Sequence, residues 1–359
     1  HASGGAAGAV GQQALDVGLA VAGLAQLAVL DGEDTLYQLA GLEVTGLPSQ
    51  PLYVRYVEPL SPAGRASIVR GDQVLSINGR SAADVISDPN GFDVLSSTAA
   101  GETITLVLRN STGDRTVTVA SAIFALTPVP LSRVITTPGG RKLGYVMVNS
   151  MIDQASVPLA QIFTGFRNQG VTEAVLDLRY NGGGLVSMAS TVGSYIAGQR
   201  GAGQVFARLL YNDKRSVAEN ETFLFQSLAN AVGSGTVYVL MGRRTCSASE
   251  QVINGLRGVG VNVIAIGETT CGKPVGFLPK SDSCGTTYSI VNFESVNRLN
   301  EGRYFDGFQA TCAVAENFTK ALAADDEPLL AAARWVADTG ACPVAATREQ
   351  PLSQRKATR

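Results

Sequence analysis

Val237-Tyr-Val-Leu-Met-Gly-Arg-Arg-Thr-Cys-Ser-Ala-Ser-Glu250 runs on through the helical Ala248–Leu256 into Val261-Asn-Val-Ile-Ala-Ile-Gly-Glu-Thr-Thr-Cys-Gly-Lys273. An apolar strand, a polar turn, an amphipathic run and a second apolar strand make a β-α-β unit. Its right-handed crossover puts the C-terminal ends of both strands on one sheet edge, where α/β proteins build their sites. Ser247, at the helix start, and Lys273, after the second strand, are thereby expected to be neighbours.

Upstream the same alternation continues. Strand Leu143–Val148, helix Gln154–Gln169, strand Ala174–Leu178 and helix Leu185–Ile196 are followed by a longer segment around Leu224–Val232. Strands alternating with crossover helices predict a mostly parallel sheet. The strand ending in Asp177-Leu-Arg-Tyr-Asn-Gly-Gly-Gly184 delivers a glycine-rich loop to the same edge, where converging backbone N–H groups can form an anion-binding nest. Before Pro128 and Pro130 the pattern differs. Leu52–Val57, Gln73–Ile77 ahead of Asn78-Gly79, Thr103–Leu108 and Thr116–Val119 read as short strands of a β-rich domain. The expected organisation is an N-terminal helical segment over 1–34, a β-rich domain over 35–122, an α/β core over 123–325, and a C-terminal helix with a frayed tail over 326–359.

Composition narrows the function. With 359 residues and 45% hydrophobic content there is material for more than one core. Charge is balanced, 28 basic against 30 acidic residues, so nucleic acid is not an expected partner. The apolar run Val17–Leu30 falls short of the roughly 20 residues of a membrane span and reads as a packed helix. The chain begins at His1 with no signal-peptide pattern, so a signal peptide is expected to have been removed. Five cysteines without CxxC or Cys/His spacing predict no metal and no cofactor, and one or two disulfides, hence an exported protein.

His1 is the sole histidine, which removes a Ser-His-Asp hydrolase; a nucleophilic serine here must be activated by lysine. Each feature has an ordinary reading alongside. Ser247-x-x-Glu250 is a capping box, Asn181–Gly184 a loop, Lys273 a solvated amine. Only their convergence points to catalysis. Gly267-Glu-Thr-Thr-Cys-Gly-Lys273 also fits the start of a phosphate-binding P-loop, but Pro274 replaces the Ser/Thr that would hold Mg²⁺ and blocks the helix. Val275 and Phe277 suit a lysine base, since moving its pKa from about 10.4 to near 7 takes roughly 4 kcal/mol of desolvation or like-charge repulsion.

Over residues 50–320 these motifs resemble the carboxyl-terminal processing, or tail-specific, serine proteases. Ser247-Ala-Ser-Glu250, Gly267–Lys273 and Asp177–Gly184 are similar to that family's signature segments, in its order. The resemblance implies a ClpP/crotonase-like core with Ser247 as nucleophile, Lys273 as general base, and an oxyanion hole from Ala248 and a glycine among Gly182, Gly183 and Gly184. Val57–Ala63 and Arg70–Gly79 resemble the PDZ module of the family. It implies protein or peptide partners with free C-termini, and Gly41 and Leu42 are candidates for the carboxylate loop. Where many members carry a glutamine four residues after the lysine, this chain has Phe277. The third catalytic residue is thus unassigned, with Glu250 and Thr270 as candidates for support. Cys246 and Cys271 flank the pair, and a disulfide between them and ordinary buried thiols are both open readings. The expected function is a metal-independent endopeptidase, periplasmic or secreted. A catalytically silent PDZ-bearing scaffold and a crotonase-like acyl-transfer enzyme are the alternatives.

Overall fold

The computed structural model describes residues 42–45, 51–95 and 100–343, with 42–45 given by backbone alone. The helical segment expected over 1–34, Gly41, and the tail from residue 344 lie outside the described residues. The chain forms two compact units, one reaching to Thr127 and including Asn317–Ala324, the other comprising Pro128–Glu316 and the chain from Asp325.

The first unit contains β1 (Leu42–Thr45), β2 (Leu52–Val57), α1 (Pro62–Arg65), β3 (Gln73–Ile77), β4 (Arg80–Ser81), α2 (Ala82–Ser87), β5 (Thr103–Asn110) and β6 (Gly113–Ala120). Its antiparallel sheet runs β1-β2-β3-β5-β6, with β4 on β3. Ile104, Leu106 and Leu108 alternate inward from β5 and join Leu52, Val54, Val74, Ile77 and Val85 in one core. Ser61 and Ser81 start the helices by accepting the amides of Gly64 and Asp84.

Residues 317–324, expected within the core over 123–325, belong instead to this first unit. Arg70 explains why: its Nε donates to the Lys320 carbonyl at 2.8 Å, and its guanidinium and that of Arg55 stack on the Phe318 ring, 5.1 and 5.5 Å from the centroid.

The second unit contains β7 (Leu131–Thr136), β8 (Lys142–Met147), α3 (Ser156–Asn168), β9 (Glu173–Asp177), α4 (Val186–Ala197), β10 (Val205–Tyr211), α5 (Ser216–Glu219), β11 (Glu221–Leu224), β12 (Thr236–Met241), α6 (Ala248–Gly258), β13 (Asn262–Gly267), β14 (Val275–Gly276), β15 (Lys280–Ser281), β16 (Thr287–Tyr288), β17 (Phe293–Val296), β18 (Cys312–Ala313) and α7 (Pro328–Thr339). The main sheet runs β18-β13-β12-β9-β8-β7, parallel except for β7. Val146, Leu176, Val237, Val239, Val263 and Ala265 share a core with Phe163 of α3, Val192 and Ile196 of α4, and Val252 and Ile253 of α6. The intervening residues Tyr145, Val175, Leu240 and Ile266 are buried as well, as are Leu329, Leu330 and Ala333 of α7. Strands covered on both faces read as unbroken apolar runs, which is how the sequence presents them.

A second, antiparallel sheet, β11-β10-β17-β14, departs from the simple alternation expected from sequence. The stretch around Leu224–Val232 is not a regular element beyond the end of β11. β14 and β17 hold two and four residues, too few to print a periodicity.

Candidate active site

β12 and β13 pair in parallel from Thr236–Asn262 to Met241–Gly267, and β9 flanks β12 with Asp177 opposite Leu240. The loops carrying Asn181–Gly184, Ser247 and Lys273 therefore leave one sheet edge. The serine sits in a tight turn, closed by the Ser249 N–H donating to the Cys246 carbonyl at 3.1 Å. Its backbone is at φ +55°, ψ −117°, the first central position of a type II′ turn, where glycine is at ease and serine is strained. The Ser247 hydroxyl stands over the first turn of α6 in a capping-box arrangement with Glu250.

Glu250 ties the two loops together. Its side chain is fully buried. One oxygen, Oε1, accepts the Thr270 hydroxyl at 2.6 Å and the Gly272 amide at 2.8 Å. The other, Oε2, accepts the amides of Ser247 at 3.0 Å and Lys273 at 2.8 Å. Burial pushes this carboxyl above the usual carboxylate range, and the four donors pull against that shift. The same bonds dispose of the P-loop reading, because the amides of Gly272 and Lys273 already hold an internal anion. Lys273 is half-buried; desolvation holds its amine below the ordinary lysine value, and the charge of Glu250 opposes part of that. Its Nζ lies 4.9 Å from the centroid of the Phe277 ring.

Cys246 and Cys271 form a disulfide, with their Cα atoms 5.2 Å apart. A second bridge joins Cys312 to Cys342, and Cys284 is free and exposed. The two site cysteines and Glu250 cluster closely enough for a metal, but sulfurs bonded to each other offer no thiolate.

Asn181 is the residue that sequence reasoning missed. It is fully buried. Its carbonyl accepts the Cys246 amide at 3.1 Å and the Ser249 hydroxyl at 3.0 Å, its Nδ2 donates to the Val148 carbonyl, and its Oδ1 accepts the Gly183 amide at 2.8 Å. Through this last bond the Gly183 amide is engaged within its own loop. Gly183 serves by its bareness, since a Cβ there would lie 2.9 Å from the Ser247 Cβ and 3.0 Å from the Ala248 nitrogen. Ala248 N–H is at the first helical position, where no intrahelical acceptor exists. Behind the loop, buried Arg179 is bonded to Asp177 and pairs in fork geometry with Glu327, at 2.8 and 3.0 Å, fixing the end of β9. Of the remaining candidates, Leu42 opens β1 in the first unit.

Residues 142–295 match the family model described as peptidase family S41. A carboxyl-terminal-processing protease from Picosynechococcus sp. is 28% identical over 249 residues, 66% of this chain and 55% of that protein. Carboxyl-terminal-processing peptidase 3, chloroplastic, from Arabidopsis thaliana is 29% identical, covering 67% of this chain and 46% of that one. This chain thus spans about half the length of these curated relatives. A Bacteroides fragilis NCTC 9343 protein described as an S41 protease has a solved structure that superposes with a TM-score of 0.69 at 27% identity, over 86% of this chain and 84% of that one. With serine and lysine at one edge of its parallel-sheet unit, and a family match that spans both, the chain is similar to peptidase family S41 and to these carboxyl-terminal-processing peptidases.

Proposed function

We propose that this chain is a serine endopeptidase with a ClpP/crotonase-like core, working by a Ser247–Lys273 dyad on exported proteins or peptides, in a periplasmic or secreted setting. One observation carries the reading: a single buried carboxylate, Glu250, accepts the backbone amides of both residues, a degree of mutual fixing that a helix cap alone does not require. Neutral Lys273 takes the Ser247 hydroxyl proton as Oγ attacks the scissile carbonyl, and the same amine, now protonated, delivers that proton to the leaving nitrogen. The oxyanion faces the Ala248 amide together with Gly182 or Gly184, donors of this kind contributing about 3 kcal/mol each to the transition state. Water deprotonated by Lys273 then releases the acyl group. Glu250 and Thr270 support this by holding the loops, and no metal or cofactor is required.

For the first unit we propose a PDZ-like role in which the substrate C-terminus adds beside β1, at the sheet edge, with Gly41 and Leu42 near the carboxylate. The test compares wild type, Ser247→Ala and Lys273→Ala on an unfolded protein with a free apolar C-terminus between about pH 6 and pH 10. Cleavage by wild type alone, rising with pH, is the expected outcome; cleavage surviving both substitutions would sink the assignment.

A further inference from the structure

The turn Tyr304–Phe308 lies on the lysine loop. Thr270 and Phe308 bond reciprocally, the Phe308 amide to Thr270 Oγ1 at 2.7 Å and the Thr270 amide to the Phe308 carbonyl at 3.2 Å. A Cβ on Gly272 would strike the Phe305 carbonyl, and one on Gly307 the Thr270 carbonyl. The Tyr304 ring packs on Phe308, centroids 4.5 Å apart. At the end of that ring the structure leaves a polar atom unexplained: the Tyr304 hydroxyl is shut off from solvent and has no hydrogen-bonding partner. Buried hydroxyls are nearly always paired, and an orphan in a native fold calls for a reason. Glu250 is near enough for its charge to raise the phenol's pKa further, on top of burial, yet both its oxygens are already taken by the site loops. Among the described residues the Lys273 amine also lacks a hydrogen-bonding partner; its recorded neighbour is the face of Phe277, a resting place for an ammonium that offers nothing to orient a free amine.

We propose that Tyr304 is a positioning residue of this site: its hydroxyl oxygen accepts an N–H of neutral Lys273 once the flexible lysine stem turns from Phe277 toward Ser247. The nitrogen lone pair is then left free to take the serine proton. The inference rests on the Ser–Lys reading above, and it assigns the third member of the site to a residue outside every motif of the sequence.

The full chain carrying Tyr304→Phe tests it, by kcat and KM across pH and by thermal unfolding. The expected result is a plateau kcat lowered about tenfold or more, KM within about twofold, and a pH midpoint moved to lower pH, because the oxygen favours the ammonium over the amine. The Tm stays the same or rises, since the deleted hydroxyl is buried and unpaired. A Tyr304→Phe protein with wild-type kcat and pH profile overturns the proposal, as does a loss of kcat that tracks a fall in Tm. A Lys273→Ala protein as active as wild type removes the proposal together with the dyad. Inactive Lys273→Ala beside fully active Tyr304→Phe leaves the dyad standing and removes only the role of Tyr304.

Discussion

Ser247 holds a backbone conformation that its side chain resists, and the surrounding turn imposes it. At φ +55°, ψ −117° a glycine would be relaxed, whereas alanine inherits the strain of serine. Ser247→Gly is therefore expected to be inactive yet more stable than Ser247→Ala by about 1 kcal/mol, measured by urea unfolding. Equal stabilities would mean that the turn does not strain its second residue. For Lys273, desolvation favours the neutral amine. Because its pKa is depressed on folding, the unfolded chain binds the extra proton, and the stability of the fold rises as pH climbs from the folded value toward the ordinary 10.5. Activity is expected to rise through the same window, with a midpoint below 10.5. Lys273→Met is expected to abolish cleavage without lowering Tm at neutral pH, which differential scanning calorimetry can read. At this scale the sequence singled out Ser247 and Lys273 as the proposed nucleophile and base because a chain with one terminal histidine leaves few other choices. It named Glu250 and Thr270 as supporting candidates but not how they act, since a tetrapeptide does not show that the Glu250 carboxylate reaches Thr270, Gly272 and Lys273.

Among the elements, the glycine loop after β9 and the turn before α6 fit because one of them has no side chain. Gly183 is at φ +109°, and a Cβ there would meet the Ser247 Cβ, the Ala248 nitrogen and the Cys246 carbonyl at 2.9 to 3.0 Å. Gly183→Ala must displace the nucleophile turn. It is expected to keep the secondary structure seen by circular dichroism and to lose at least about tenfold in kcat; an unimpaired enzyme would mean the turn can retreat without consequence. The Cys246–Cys271 bridge closes a separation of 25 residues around α6 and β13, which corresponds to about 3.5 kcal/mol of unfolded-chain entropy. The helices were legible here because α3, α4 and α6 each carry a long apolar stripe, and the parallel strands because both their faces are covered. The second sheet was not legible. Its strands pair over long separations, β10 with β17 as Arg208–Val296 to Tyr211–Phe293, and no local pattern announces such a partner.

At the scale of the molecule, the proposed function assigns the two units different work, the first to take a chain end and the second to cut. The boundary between them was only partly readable, because Pro128 ends one pattern visibly while the return of residues 317–324 rests on Arg70 bonding the Lys320 carbonyl and stacking with Arg55 on Phe318, contacts far apart in sequence. The first unit offers a terminal strand, β1, in an antiparallel sheet, and strand addition there would draw affinity from backbone bonds and selectivity from the carboxylate at the end. Those contributions separate experimentally. Against the Ser247→Ala protein, so that nothing is cleaved, titration calorimetry with an apolar peptide acid and its C-terminal amide is expected to give at least about tenfold tighter binding of the acid, since a charge-assisted bond to backbone amides is roughly twice as strong as a neutral one. Equal binding of acid and amide would leave β1 as a strand acceptor without end recognition. The cutting unit would then have to find its substrates by their unfolded backbone, and cleavage positions mapped by mass spectrometry would be scattered along the chain instead of clustered near its C-terminus.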